Sequence, residues 1–172
     1  MAGPALERCH MGVYNCAGIP IIDLFAFSEF LYVLMAGSGC GFSVESDLVC
    51  RLPRVKKQKR GEKAIHVVED TTEGWCDALQ VGLRTWFGGR DVEFDDRHVR
   101  PAGTRLKTKG GLASGPEPLR DLLAFVRDTV LKAQGRRLTD LECHDICCKI
   151  AKIVQVGGVR RASTISLSDL AS

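Results

Sequence analysis

Short apolar runs alternate with amphipathic segments along nearly all of this chain, and glycines or capping patterns stand at most of the joins. Adjacent parallel strands cannot be joined by a tight turn and need a crossover, usually a helix, so this alternation argues for an α/β fold with a largely parallel sheet. Strands are expected at 13–21, 41–44, 64–68, 153–156 and 164–167. Residues 24–35 are apolar almost all round and read as a core helix ended by Gly37. Asp70-Thr-Thr-Glu73 has the spacing of a capping box and opens a helix carrying Trp75, Leu79, Leu83 and Trp86, which Gly88-Gly89 stops. Pro116 stands in the first turn of the next helix, where its missing N–H costs nothing. Leu119, Leu122, Leu123, Val126, Val130 and Leu131 give that helix one apolar face, and Gly135 ends it. Thr139-Asp-Leu-Glu142 is a second capping box, starting a helix through about Lys152. Residues 54–63 hold six Lys or Arg with no apolar period and read as an exposed loop. Residues 168–172 follow a strand with no closing helix, the pattern of an α/β domain that has been cut.

At 172 residues, with 45% hydrophobic and 26% charged side chains, the chain suffices for one domain with its own core. A net charge of +3 is too small to argue for nucleic acid, and no aromatic residue is interleaved with the basic run 54–60. Eight cysteines would suit a disulfide framework only on a secretory route. The N-terminus has no basic, apolar and cleavage-site succession, so reduced thiols and a cytoplasmic setting are expected. The apolar stretch 19–36 carries Pro20, Asp23 and Glu29, which suits a buried helix and not a membrane span.

Several segments carry chemistry. Cys16, at the end of a strand, could serve as a redox thiol, while composition alone favours a small buried hydrophobe. Arg100, Lys107 and Lys109 flank Gly103 and Gly110-Gly111. Glycines let backbone N–H groups approach an oxyanion and the cations offset its charge; a solvated basic loop is the plainer reading. Gly110-Gly-Leu-Ala-Ser-Gly-Pro116 runs into a helix whose first N–H groups could hold a phosphate, with Ser114 either adding a hydroxyl or capping. Gly157-Gly-Val-Arg-Arg161 pairs flexible glycines with guanidinium groups that could stack on a base or bind phosphate. Arg-Arg-Ala-Ser163 also fits a basophilic kinase site, a pattern short enough to arise by chance. Cys143, His144, Cys147 and Cys148 share one helix, which places four zinc ligands poorly, so buried thiols and no metal are expected. Gly37-Ser-Gly-Cys-Gly41 lacks a full dinucleotide fingerprint and reads as a helix stop and turn.

Six of these segments occur in a known order: Tyr14-Asn15-Cys16; Leu31-Tyr-Val-Leu-Met35 with Gly37 to Glu45; Glu69-Asp-Thr-Thr-Glu-Gly-Trp75; Arg100-Pro-Ala-Gly103 through Pro116; Glu142-Cys-His-Asp145; and Gly157 to Ala162. Together, over 13–169, they resemble adenosylcobalamin-dependent (class II) ribonucleotide reductase. The resemblance implies a ten-stranded α/β barrel of two five-stranded halves, of which 1–172 would be a single partial domain, about the first half. It implies reduction of ribonucleoside di- or triphosphates to 2′-deoxyribonucleotides by radical chemistry, for DNA synthesis. Cys16 then matches one of the two reducing cysteines, its partner lying outside the span. Asn15, Ser114 and Gly115 would meet substrate. Arg100, Lys107, Lys109, Gly157, Gly158, Arg160 and Arg161 would serve the deoxynucleoside triphosphate effector and the specificity loop. No Asn-x-Cys-x-Glu segment for the thiyl cysteine is present. The implied cofactor is adenosylcobalamin, held by residues outside the span, and the implied partners are the remainder of the reductase and a thioredoxin-like reductant. A catalytically inactive nucleotide-binding or regulatory module is the alternative. The chain departs from the family in the charged stretch 93–100, in the small pair Ala17-Gly18 after Cys16, and in Gln155 before the specificity loop.

Overall fold

A computed structural model describes residues 15–59, 61–105, 112–157 and 163–169, except the side chains of 155–157. The strands β1 (Cys16–Pro20), β2 (Gly39–Ser43) and β5 (Thr164–Leu167) form one sheet in the order β1-β2-β5. A second sheet pairs β3 (Ala64–Val67) with β4 (Val92–Asp95). All three strand pairings are parallel, as the alternating pattern predicts. The helices are α1 (Leu24–Met35), α2 (Ser46–Val49), α3 (Thr72–Phe87), α4 (Glu117–Lys132) and α5 (Asp140–Gly157). Among the described residues no helix is long and apolar enough to cross a membrane.

Helix α1 starts where Asp23 Oδ1 accepts the N–H groups of Phe25 and Ala26, both at 2.9 Å. Its Phe27, Phe30 and Leu31 are wholly buried. Phe30 meets Phe42 of β2 edge to face, with ring centres 5.2 Å apart. On the far side Ser28 Oγ lies 3.0 Å from the side-chain amide of Gln80 on α3, so the buried polar groups of the two helices satisfy each other.

Two sequence expectations are corrected here. The cap of α3 is Thr71, whose hydroxyl accepts from Gly74 N–H at 2.9 Å, one residue later than the box beginning at Asp70. Asp70 is engaged elsewhere: its carboxylate accepts from Arg100 Nε at 2.6 Å. The predicted strand 153–156 is instead the last part of α5. Cys143, Ile146, Cys147, Ile150 and Ile153 recur at helical spacing and are all buried, so packing of one face overrides the β-branched preference of the segment. The second capping box is as predicted: Glu142 N–H donates to Thr139 Oγ1 (3.2 Å) and Thr139 N–H to Glu142 Oε2 (2.8 Å).

The basic stretch after α2 is exposed, as expected, and it is also tied down. Val55 N–H donates to Arg136 O and receives Gly135 N–H; Lys56 N–H donates to Phe87 O and Lys59 N–H to Gly89 O. It therefore lies as a strap across the C-terminal ends of α3 and α4. Gly89 has φ +78°, and a Cβ there would stand 2.5 Å from Lys57 O, so glycine is required on both counts. Below the strap, Asp91 accepts from Arg127 Nε (2.9 Å) and Nη2 (2.7 Å) and from Trp86 Nε1 (3.2 Å), with Lys63 Nζ at 3.3 Å.

Gly89→Ala is expected to cost about 1–3 kcal/mol, read as a lower urea midpoint. The Arg127 hydrogen bonds hold the Asp91 carboxyl far below the usual carboxylate range. A depressed folded pKa contributes stability above the unfolded value, about pH 4, that is lost as pH falls further. Asp91→Asn should reduce that acid-side loss, followed through the Trp86 fluorescence that reports on the same contact.

Candidate functional site

Alternation along β1 sends Ala17 and Ile19 toward the helices and leaves Cys16, Gly18 and Pro20 on the opposite face. Register sets Cys16 beside Gly39, Gly18 beside Gly41 and Pro20 beside Ser43, while Gly41 faces Ile165 and Ser43 faces Leu167. These side chains line an open trough of about 600 Å³, completed by Glu45 and Leu48 at the C-terminal ends of the strands. Its floor is low because three of the residues are glycines. A Cβ on Gly41 would come within 2.9 Å of Ile165 Cγ2, so that glycine serves sheet packing, whereas nothing lies within 4 Å of a Cβ on Gly18. Gly18 is thus the place where the floor is open with no demand from the fold.

Cys16 is exposed at the N-terminal end of this trough. Asn15 holds the adjoining turn through its carbonyl, which accepts Gly39 N–H at 3.0 Å. At the other end Ser43 Oγ donates to Glu45 Oε2 at 2.7 Å. The pair Ser43 and Glu45 escaped the sequence reading. The available signal was the period-two run Gly39, Gly41, Ser43, which puts those three residues on the face shared with Cys16.

The other thiols differ from Cys16 in environment. Cys40, Cys143 and Cys147 are buried and Cys76 half-buried. Burial pushes Cys40 up to about 11 and Cys76 up to about 12, with Glu73 and Asp77 adding to the latter. It pushes Cys143 and Cys147 up further still. Cys148 is exposed, and its sulfur stands 3.6 Å from His144 Nε2 and 3.8 Å from Nδ1. Nearly equal distances put the sulfur over the ring face, not on a lone pair, so the two do not form an activated dyad. Among the described residues no cluster of three metal-ligating side chains occurs.

The second set of predicted site residues sits elsewhere. Gly103 N–H donates to Ala113 O and Ala113 N–H to Thr104 O, closing the base of a loop whose Lys107 and Lys109 lie outside the described residues. Arg100 buttresses that base, bound to the Asp70 carboxylate and, at 3.2 Å, to the Asp70 carbonyl. Gly115 is buried at φ +78°, and a Cβ there would meet Glu117 Oε2 at 2.6 Å and Ala102 N at 3.0 Å, so the position is set by packing. Ser114 does not cap α4, which has no side-chain cap; its hydroxyl donates to Gly115 O at 3.4 Å. Gly157 closes α5 as its last helical residue, while Gly158, Arg160 and Arg161 lie outside the described residues. The trough lining includes Cys16 but neither Arg100, Ser114 nor Gly115.

Comparison with known proteins gives a consistent result. The chain is 31% identical to an adenosylcobalamin-dependent ribonucleoside-triphosphate reductase of Lacticaseibacillus paracasei, over 83% of this chain and 24% of that protein. It is 34% identical to the protein of the same name from Euglena gracilis, over 90% of this chain and 22% of that one. It therefore spans about a quarter of the length of the curated relatives it matches. Among solved structures, a B12-dependent (class II) ribonucleotide reductase superposes with a TM-score of 0.80 at 23% identity, covering 93% of this chain and 29% of that one. This likeness shows the fold. No protein-family model matches the chain.

Among the thiols of the described residues, brief alkylation of the native protein, mapped by mass spectrometry, should mark Cys16, Cys50 and Cys148 first. Cys40, Cys143 and Cys147 should react only after unfolding, because burial removes both access and thiolate.

Proposed function

The chain belongs by sequence to the adenosylcobalamin-dependent (class II) ribonucleotide reductases, and from that premise we propose that it supplies the reducing-thiol portion of such an enzyme. In this reading the two parallel sheets are parts of one five-stranded half of the barrel. The trough over β1, β2 and β5 is the part of the substrate chamber that this chain contributes. The observation that carries the reading is the exposed Cys16 thiol at the edge of a glycine-floored trough, while four other thiols are partly or wholly withdrawn from solvent.

The chemistry assigned to Cys16 is that of one member of a dithiol. Reduction at the ribose 2′ carbon removes the hydroxyl as water. It takes two electrons from two thiols, whose sulfurs end joined as a disulfide. Cys16 supplies one sulfur and a residue outside this span the other, after which a thioredoxin-like reductant returns the pair to thiols. An open trough suits both steps, since substrate and partner thiol must reach the same sulfur. A reducing, cytoplasmic setting would keep Cys16 available between turnovers.

The loop residues take supporting parts. Arg100, held by Asp70, fixes the base of the 101–115 loop, so its role toward an effector triphosphate is to present Lys107 and Lys109, with Asp70 as the competitor that phosphate would displace. Ser114 and Gly115 shape the entry to α4. Gly157 ends α5, and Gly158, Arg160 and Arg161 after it would relay effector identity to the substrate base. The kinship implies adenosylcobalamin as cofactor. The described residues do not form a seat for it: the trough is shallow and open, and Cys16 is its only Cys or His besides the inward-facing Cys40.

The test joins this chain to the remaining three quarters of the Lacticaseibacillus paracasei relative and measures deoxynucleotide formation with adenosylcobalamin and a dithiol. Activity is expected, with Cys16→Ser lowering sustained turnover by at least about 100-fold, some 2.7 kcal/mol in the barrier. Equal turnover by the Cys16→Ser variant would instead favour a nucleotide-binding role without chemistry.

A further inference from the structure

The strap and the helix ends beneath it gather cations that are far apart in the sequence. Arg54, Lys56, Lys57 and Lys59 come from the strap, Arg90 follows Gly89 at the end of α3, and Arg137 follows the end of α4. Their placement at one end of the molecule is fixed by the backbone bonds from Val55, Lys56 and Lys59 to Arg136, Phe87 and Gly89, and by Gln58 N–H, which donates to Gln134 Oε1 at 2.7 Å. All six are exposed. Among the described residues none makes an ion pair: Arg54 and Arg137 bond to the carbonyls of Gly135 and Leu52, and the side chains of Lys56, Lys57, Lys59 and Arg90 have no partner there. Two carboxylates at this end are already engaged, Asp91 by Arg127 and Lys63 and Glu142 by Arg136.

Complementing two helix C-termini accounts for a cation or two, worth about 0.3–1 kcal/mol each. It does not account for six on an ordered platform, where mutual repulsion works against the fold. From this juxtaposition we infer that the strap is a docking surface for an acidic polypeptide segment, rich in Asp and Glu, of a protein partner.

Three features select a carboxylate-bearing polypeptide over a phosphate polymer or an anionic membrane. The strap N–H groups of Val55, Lys56, Gln58 and Lys59 are all used internally, so no backbone nest is left to hold phosphate. The platform lies at helix C-termini, where the dipole disfavours a phosphate dianion more than a single carboxylate. Half its cations are lysines, which act as point charges without the bidentate fork suited to phosphate, and Trp86 and Phe87 beneath it are buried, leaving no ring to stack on a base or enter a bilayer. Tethering the strap fixes the charges before a partner arrives, so binding would cost little ordering of the backbone.

The experiment follows fluorescence anisotropy of a labelled Asp/Glu-rich peptide against the whole chain at ionic strengths up to about 0.15 M. Saturable binding that weakens with salt is expected. The K56E/K57E/K59E variant should weaken it at least about tenfold, or 1.4 kcal/mol, while Lys152→Glu, on the exposed face of α5, changes it less than about twofold. Unchanged thermal melting of the triple variant checks that its fold is intact; should it fail to fold, acetylation of the native lysines gives the same comparison. Equal weakening by Lys152→Glu, or no effect of the triple variant, would overturn the site. Tighter binding of duplex DNA or of phosphatidylserine vesicles under the same conditions would overturn the partner class.

Discussion

Everything in this fold leans on the burial of one helix. Helix α1 packs against the β1-β2-β5 sheet and against α3 and α5, with Phe27, Phe30 and Leu31 fully out of water. Side chains of that size gain about 1.5–3 kcal/mol each on burial, which makes α1 a large source of order in the sheet region. Its start is set by the Asp23 cap, so the position of β1 just before it follows, and with β1 the position of Cys16. The edge contact between Phe30 and Phe42 then fixes β2 against the same helix.

From that constraint the chemistry of the chain follows by alternation. Once Ala17 and Ile19 are turned inward, Cys16, Gly18 and Pro20 must face the other way, and the parallel register brings Gly39, Gly41 and Ser43 alongside. Among the described residues helices cover one face of this sheet and leave Ile165 and Leu167 exposed on the other, an apolar surface suited to further packing. The kinship with proteins about four times longer agrees with such an unfinished surface. The β3–β4 end has a different character. Its Arg–carboxylate pairs, Arg100 with Asp70, Arg120 with Asp96 and Arg127 with Asp91, join the loops and helix ends around the second sheet.

Much of this was legible in the sequence because local and tertiary preferences agree. Thr139 and Glu142 bracket a helix start in sequence and in space; residues 24–35 are apolar almost all round and mostly buried, with Glu29 exposed. The sequence misled where the two levels disagree. Three of residues 153–156 are β-branched and apolar, yet Ile153 extends a buried face that begins at Cys143, and the helix continues. Asp70 has the spacing of a cap, but a guanidinium thirty residues away claims it, and Thr71 takes over. In the charged stretch 93–100, Asp95 pairs with Arg97 two residues on, but the partner of Asp96 is Arg120, which spacing alone does not give. For the site, Cys16 stood out through its motif, whereas Glu45 and the open floor at Gly18 emerge only when register puts three strands side by side.

The role proposed for Cys16, a reducing thiol of a class II reductase, is open to direct measurement in a single turnover of the joined enzyme without external reductant, followed by acid quenching and peptide mapping of disulfides. One new disulfide per deoxynucleotide formed is expected, linking the Cys16 peptide to a cysteine of the remainder. Deoxynucleotide formed in the same amount while Cys16 remains a free thiol would contradict it.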